Sequence, residues 1–139
     1  ILGTAAVKDR DLLVSALDKY AEKIAVGVDI RDGLVSIKGW TEESDLHFED
    51  FCRDMAELGV SNLIVTDISK DGAMKGTNTE LYEKLGILLP NLKITASGGV
   101  SSIDEVKILS NMNLYAAIVG KAYYTGDINL KEAIEVGKC

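Results

Sequence analysis

Four short apolar runs punctuate the chain: "KIAVGVD" at 23–29, "NLIVTD" at 62–67, "LKITASGG" at 92–99 and "YAAIVGK" at 115–121. Each ends on polar or glycine residues. Each is too short and too rich in β-branched residues for a helix, and none alternates cleanly with polar positions. Parallel strands buried on both faces read this way. Between them the apolar positions fall at helical spacing. Residues 11–23 place Leu12, Leu13, Ala16, Leu17 and Tyr20 on one face, and residues 45–58 place Leu46, Phe48, Phe51, Cys52, Met55 and Leu58. Residues 78–88 carry Leu81, Leu85 and Leu88. Residues 102–110 carry Ile103, Val106 and Leu109 behind Ser-Ile-Asp-Glu, a helix-opening signal. A short terminal helix is expected over 130–136.

Strand and helix alternate throughout, which predicts βα units around a parallel sheet. Two closures fit: an open doubly wound sheet or a (β/α)8 barrel. The opening "ILGT" reads as the end of a fifth strand. Five strands are too few to close a barrel of roughly 250 residues. The chain begins abruptly, without an initiator methionine, and is expected to belong to something longer. "VDIRDG" at 28–33 and "TDISKDG" at 66–72 echo each other, as a repeated strand-plus-loop unit would. No Pro/Gly linker divides the chain, so residues 1–139 are assigned to one domain.

The 139 residues are 47% hydrophobic and 27% charged, enough for one real core. The net charge of −7 disfavours broad binding to nucleic acid or anionic membrane, though a local cation can still hold a phosphate. The apolar runs are too short to span a bilayer, and no secretory signal is visible. Cys52 and Cys139 form no CxxC or Cys/His spacing and are expected to be reduced thiols of a cytoplasmic protein. His47, the lone histidine, is expected on the surface at the start of an acidic helix. No transition-metal site is expected.

Parallel α/β proteins bind ligands at the carboxyl ends of their strands. This selects Gly3, Thr4, Asp29, Thr66, Asp67, Ser97, Gly98, Gly99, Gly120 and Lys121. "SGG" at 97–99 leads from a strand into a helix, whose first amides offer donors to an anion. "GK" at 120–121 repeats the arrangement one strand later with a full positive charge. Two consecutive glycine-bearing strand ends predict a phosphate site, with ordinary tight turns as the alternative. Gly3-Thr4 offers a weaker second anion site. Asp29 ends a buried strand, where a carboxylate is costly unless paired or used. It is either a general acid or a structural partner of Arg31 and loop amides. Thr66 either bonds a substrate hydroxyl or is a strand-favouring residue. Asp67 either serves the site or caps the "SKDG" loop. Trp40 lies in a loop after "LVSIKG", where an indole either stacks on a heterocycle or pins the loop.

"VDIRDGLVSIKGW", "IVTDISKDGAMKGTN", "ITASGGVSS" and "AAIVGKAYYTGDI" together resemble the phosphoribosylformimino-5-aminoimidazole carboxamide ribotide isomerases of histidine biosynthesis. The likeness runs through essentially the whole chain, in order and spacing. It implies a (β/α)8 TIM barrel, of which this chain covers about strand 4 to helix 8. It implies an Amadori rearrangement of an aminoaldose to an aminoketose, without cofactor or metal, on a substrate phosphorylated at both ends. Asp29 then corresponds to the strand-5 general acid that protonates the ring oxygen, and Thr66 to an assisting strand-6 threonine. Arg31 and Trp40 correspond to the loop that closes over substrate. Gly98, Gly99, Gly120 and Lys121 correspond to one phosphate site, with Gly3 and Thr4 part of the other.

The strand-1 aspartate that such enzymes use as base is not in this sequence. The 139 residues alone are therefore expected to be inactive. A related cyclase that makes imidazole glycerol phosphate is the alternative enzyme. It is expected to lack Lys-Gly-Trp and to carry Ser after the strand-6 Thr, so Trp40 and Asp67 favour the isomerase. A non-catalytic, phosphate-binding half-barrel is the reading from a different class. Its exposed strand edges would promote self-association, whereas the whole enzyme is expected to be a monomer.

Overall fold

The computed structural model describes residues 1–37, 39 and 41–138, with the side chains of Glu42 and Glu43 excluded. Its backbone is a sheet in the order β3 (Glu42–His47), β2 (Leu34–Ile37), β1 (Val26–Arg31), β4 (Asn62–Asp67), β5 (Lys93–Ser97), β6 (Ala116–Ala117). Strands β1, β4, β5 and β6 run parallel. Leu2 adds a single parallel bridge to Val26, through Leu2 N–H to Ala25 O at 2.9 Å and Gly27 N–H to Leu2 O at 2.8 Å. The five expected parallel segments are therefore present and neighbours in space.

Burial along the strands differs from the expectation of two covered faces. In β1, Val26, Val28 and Ile30 are buried, while Gly27, Asp29 and Arg31 are half-buried. The register aligns Val28 with Val65 and Val65 with Ala96, and all three are buried. This face packs under helices. The other face, facing the interior of a closed barrel, meets no opposing strand among the described residues. The strands are apolar enough for two covered faces; here the second is mostly half-buried, with Thr66 and Ser36 buried on it.

The covering helices follow their apolar spacing. Helix α3 (Phe48–Glu57) buries Phe48, Phe51, Cys52 and Met55, one stripe at i, i+3, i+4 and i+7. Each such side chain contributes about 1.5–3 kcal/mol on burial. Burial also pushes the Cys52 thiol up to about 12, which keeps it protonated and unreactive. Helix α4 (Thr79–Leu88) buries Leu81, Tyr82 and Leu85 behind the Asn78 N-cap. Helix α5 (Ile103–Asn111) opens with the capping box expected from Ser-Ile-Asp-Glu: Ser102 caps and Glu105 reciprocates. Helices α6 (Lys121–Tyr124) and α7 (Leu130–Val136) complete the chain.

Three expectations are corrected. "RDG" is the turn of an antiparallel hairpin, not the start of a plain loop. Asp32 and Gly33, at φ +51° and +82°, connect β1 to β2 (Leu34–Ile37), and β3 (Glu42–His47) pairs with β2. Positive φ at both central residues is the twist-matched hairpin geometry. Consequently the third helix begins at Phe48, not at residue 45. His47 ends β3 and is exposed, as its surface reading expected. Near the N-terminus, α1 (Thr4–Lys8) precedes α2 (Arg10–Tyr20) and a 3-10 turn (Ala21–Lys23). Of the five residues assigned to the α2 face only Leu13 is fully buried; Leu12 and Tyr20 are exposed. Strand β6 is shorter than its apolar run because it pairs on one side only, with β5.

Candidate active site

Register places the candidate residues more sharply than spacing could. Asp29 of β1 is level with Thr66 of β4, and Thr66 is level with Ser97 of β5. Directly paired residues point to the same face. Asp29, Thr66 and Ser97 therefore form one polar row across three adjacent strands near their carboxyl ends. On the other flank of β1, Ser36 is level with Asp29. Ser36 is 5% exposed, and its Oγ has no hydrogen-bond partner. Sequence reading missed this row-mate because it missed the hairpin, although "DG" between two apolar runs is the signal for one. Arg31 lies two residues beyond Asp29 on the same face and is half-buried. Trp40, assigned to the substrate loop, lies outside the described residues, as does Cys139.

Asp67 is not on this face. It follows Thr66 in a strand, so its side chain points the opposite way. It is 6% exposed. One carboxylate oxygen accepts Ser69 N–H at 3.0 Å and Ser69 Oγ–H at 2.6 Å, and the other accepts Asn78 Nδ2–H at 2.6 Å. Asp67 thus holds the start of the β4–α4 loop and the N-cap residue of α4. Of the two roles open to it from sequence, loop capping is the one its geometry supports.

Beyond the polar row, a small pocket opens at the ends of β5 and β6. Ser97, Gly98, Gly99 and Val100 line one side and Ile118, Gly120 and Lys121 the other; Asp71, Gly72 and Met74 form the wall. Gly98 and Gly99 take φ +94° and +81°. A Cβ on Gly98 would lie 2.7 Å from Asp67 O, and one on Gly99 would collide with Gly76 O. Backbone of the β5–α5 turn therefore meets the end of β4 and the β4–α4 loop at a distance only glycine allows. The Lys121 ammonium donates to Gly72 O at 3.2 Å, so it reaches across the pocket to the wall. Gly3 and Gly120 share nearly one conformation, φ −103°, ψ −109° and φ −102°, ψ −106°. Each precedes a helix start, with Thr4 and Lys121 respectively next. The two strand ends thus have matching backbones at opposite flanks of the parallel row.

The approach to α5 carries a carboxylate of its own. Glu105 Oε2 accepts Ser101 N–H at 2.7 Å, Ser102 N–H at 3.1 Å and Ser101 Oγ–H at 2.8 Å. The Ser101 and Ser102 amides, which lead into α5, are therefore already occupied by a carboxylate. An anion in this pocket meets instead the Gly98–Gly99 turn and Lys121. Partial burial works to raise the Glu105 pKa, but the hydrogen bonds from Ser101, Thr77 and Ser102 outweigh it and hold the carboxyl below its ordinary value.

Tyr82, also missed from sequence, supports the row from beneath. Its hydroxyl accepts Ser97 N–H at 3.0 Å and lies 2.8 Å from Ser97 O and 3.1 Å from Val65 O, to either of which it can donate. It takes the amide that a continued β4–β5 ladder would send to β4. Burial raises its pKa to about 12, so it stays a donor. Tyr82→Phe is expected to cost about 1–3 kcal/mol, the penalty for leaving buried backbone groups unpaired. Urea unfolding checks it, and an unchanged midpoint would remove Tyr82 from this role.

Among the described residues no group of three or more His, Cys, Asp or Glu comes together as a metal site would, and no helix is long and apolar enough to cross a membrane.

A family model described as "Histidine biosynthesis protein" matches residues 1–129. A Clostridium botulinum protein is 49% identical over 136 residues, which make up 98% of this chain and 57% of that protein. Its curated name is 1-(5-phosphoribosyl)-5-((5-phosphoribosylamino)methylideneamino) imidazole-4-carboxamide isomerase. Proteins of the same name from Clostridium kluyveri and Clostridium beijerinckii are 47% and 48% identical, each across 99% of this chain and 57% of their own length. The chain thus spans a little over half the length of the curated relatives it matches.

Proposed function

Because this chain belongs to the histidine biosynthesis protein family, we propose that it carries the acid and one phosphate grip of an aldose–ketose isomerase. The substrate is a small aminoaldose phosphorylated at both ends, as the relatives' name describes for them. The 139 residues form the C-terminal part of one (β/α)8 barrel. The observation that carries this reading is the register: Asp29, Thr66 and Ser97 share one row, and that row runs into the Gly98–Gly99 and Lys121 pocket.

The chemistry follows from the row. Asp29 donates its proton to the ring oxygen as the bond from that oxygen to C1 breaks, leaving an iminium at C1. A base removes the C2 proton, and the electron pair moves to give the enaminol. The C2 hydroxyl then loses its proton as C1 gains one, leaving the ketose. Thr66, adjacent to Asp29 on the same face, bonds a sugar hydroxyl or the acid itself. Gripping the phosphates fixes the reacting carbons between them, so the rearrangement proceeds within one bound geometry. The Gly98–Gly99 turn and Lys121 hold one phosphate; Gly3 and Thr4 contribute to the other. Leu2 and β6 are four strand spacings apart, about 19 Å along the sheet, which separates the two grips by a molecule's length.

The base is not in this row. Among the residues that the parallel strands present on this face, Asp29 is the one carboxylate. In this reading the base is an acidic group outside the parallel strands described here. Arg31 and Trp40 close over the substrate in this reading. A reducing cytoplasm is the compartment that suits such a biosynthetic enzyme with a buried free thiol. The test is product identity. The chain, completed with the part of the Clostridium botulinum relative outside the matched region, is given the aminoaldose with and without ammonia. Isomerisation to the aminoketose supports the proposal; ammonia-dependent release of an imidazole product points to the cyclase instead.

A further inference from the structure

The wall of the phosphate pocket belongs to the loop between β4 and α4, and that loop is held at two points. At one, the Lys121 ammonium donates to Gly72 O at 3.2 Å. At the other, Glu105 Oε1 accepts Thr77 N–H at 2.7 Å, across 28 positions of sequence. The second oxygen of the same carboxylate accepts the Ser101 and Ser102 amides at 2.7 and 3.1 Å, just beyond the Gly98–Gly99 turn. Between the two grips lies Gly76, at φ +91°. A Cβ there would sit 2.8 Å from Glu105 Oε1, and its carbonyl oxygen lies where a Cβ on Gly99 would go. The Gly76 backbone is thus wedged between Glu105 and Gly99.

We infer that Glu105 is a positioning residue for the phosphate site: one carboxylate holds the pocket wall and the glycine turn at a fixed separation. A helix cap alone would use only the Ser101–Ser102 side of the carboxylate. The bond to Thr77 adds nothing to capping, and it fixes the loop that carries Asp71, Gly72 and Met74 into the pocket. The carboxylate form serves this role because both oxygens must accept. A carboxamide keeps one acceptor and turns an N–H toward an amide donor on the other side. The inference rests on the phosphate reading of the pocket.

The test titrates inorganic phosphate into the chain, following the Gly99 amide by NMR, in wild type, Glu105→Gln and Ser102→Ala. Glu105→Gln is expected to weaken phosphate binding about tenfold, the scale of one good hydrogen bond. Ser102→Ala removes the N-cap hydroxyl but leaves the Thr77 bond. It is expected to lower the melting temperature while leaving phosphate affinity within about twofold. In the unmodified protein, phosphate is expected to slow hydrogen exchange of the Thr77 amide in step with that of Gly99, a readout that holds even if Glu105→Gln does not fold. Binding that Glu105→Gln leaves unchanged, or a Thr77 amide that ignores phosphate while Gly99 responds, overturns the positioning role alone. Wild-type protein that binds no phosphate overturns the pocket reading, and this inference with it.

Discussion

Asp29→Asn is expected to lower kcat about 10²–10⁴-fold in the completed barrel, with little change in KM. The carboxamide matches the carboxylic acid in shape, so the row, Arg31 and the phosphate grips keep their places. What is lost is the proton delivered to the ring oxygen, and that loss falls on the chemical step. A residue that merely bonded loop amides would behave differently: its Asn variant would lose stability, not turnover. Steady-state kinetics and thermal melting on the same preparation separate the two. Asp29→Asn turning over near the wild-type rate would remove Asp29 from the acid's role.

Gly99→Ala is expected to abolish phosphate binding and to destabilise the chain by about 3 kcal/mol. Two costs add. The residue sits at φ +81°, where an L side chain is strained, and its Cβ would collide with the Gly76 carbonyl oxygen. Gly76 cannot retreat, because Glu105 stands behind it. The strain must therefore push the β4–α4 loop away or open the β5–α5 turn, and either movement spoils the pocket. Denaturant melts and phosphate titration read the two effects together. Normal affinity in a Gly99→Ala protein would mean that the turn does not form the phosphate site.

The parallel strands and most of the helical stripes were legible because burial leaves local periodicity. The polar row was half legible. Strand ends pointed to Asp29, Thr66 and Ser97, but only register shows that they lie side by side. Asp67 had two roles open to it; consecutive strand residues face opposite ways, so period two already separates it from Thr66. The hairpin was signalled by "DG" and masked by "EESDLH", whose acidic composition resembles a helix start. That segment is a strand because β2 offers it a partner and Ser44 Oγ–H bonds to Val35 O at 2.7 Å. Glu105 was read correctly as part of a cap. Its hold on Thr77 spans distant sequence and left no local signature. Tyr82 was not singled out, because nothing in its spacing shows that its hydroxyl meets two strands.

The most direct test of the shared site is isomerisation of the bisphosphorylated aminoaldose by the 139 residues alone and by the same residues completed with the unmatched part of the Clostridium botulinum relative. Turnover in the completed barrel, its loss with Asp29→Asn, and negligible turnover by the 139 residues alone are the predicted results. Full-rate isomerisation by the 139 residues alone, or a completed barrel indifferent to Asp29, would contradict an acid-bearing half that needs its base from elsewhere.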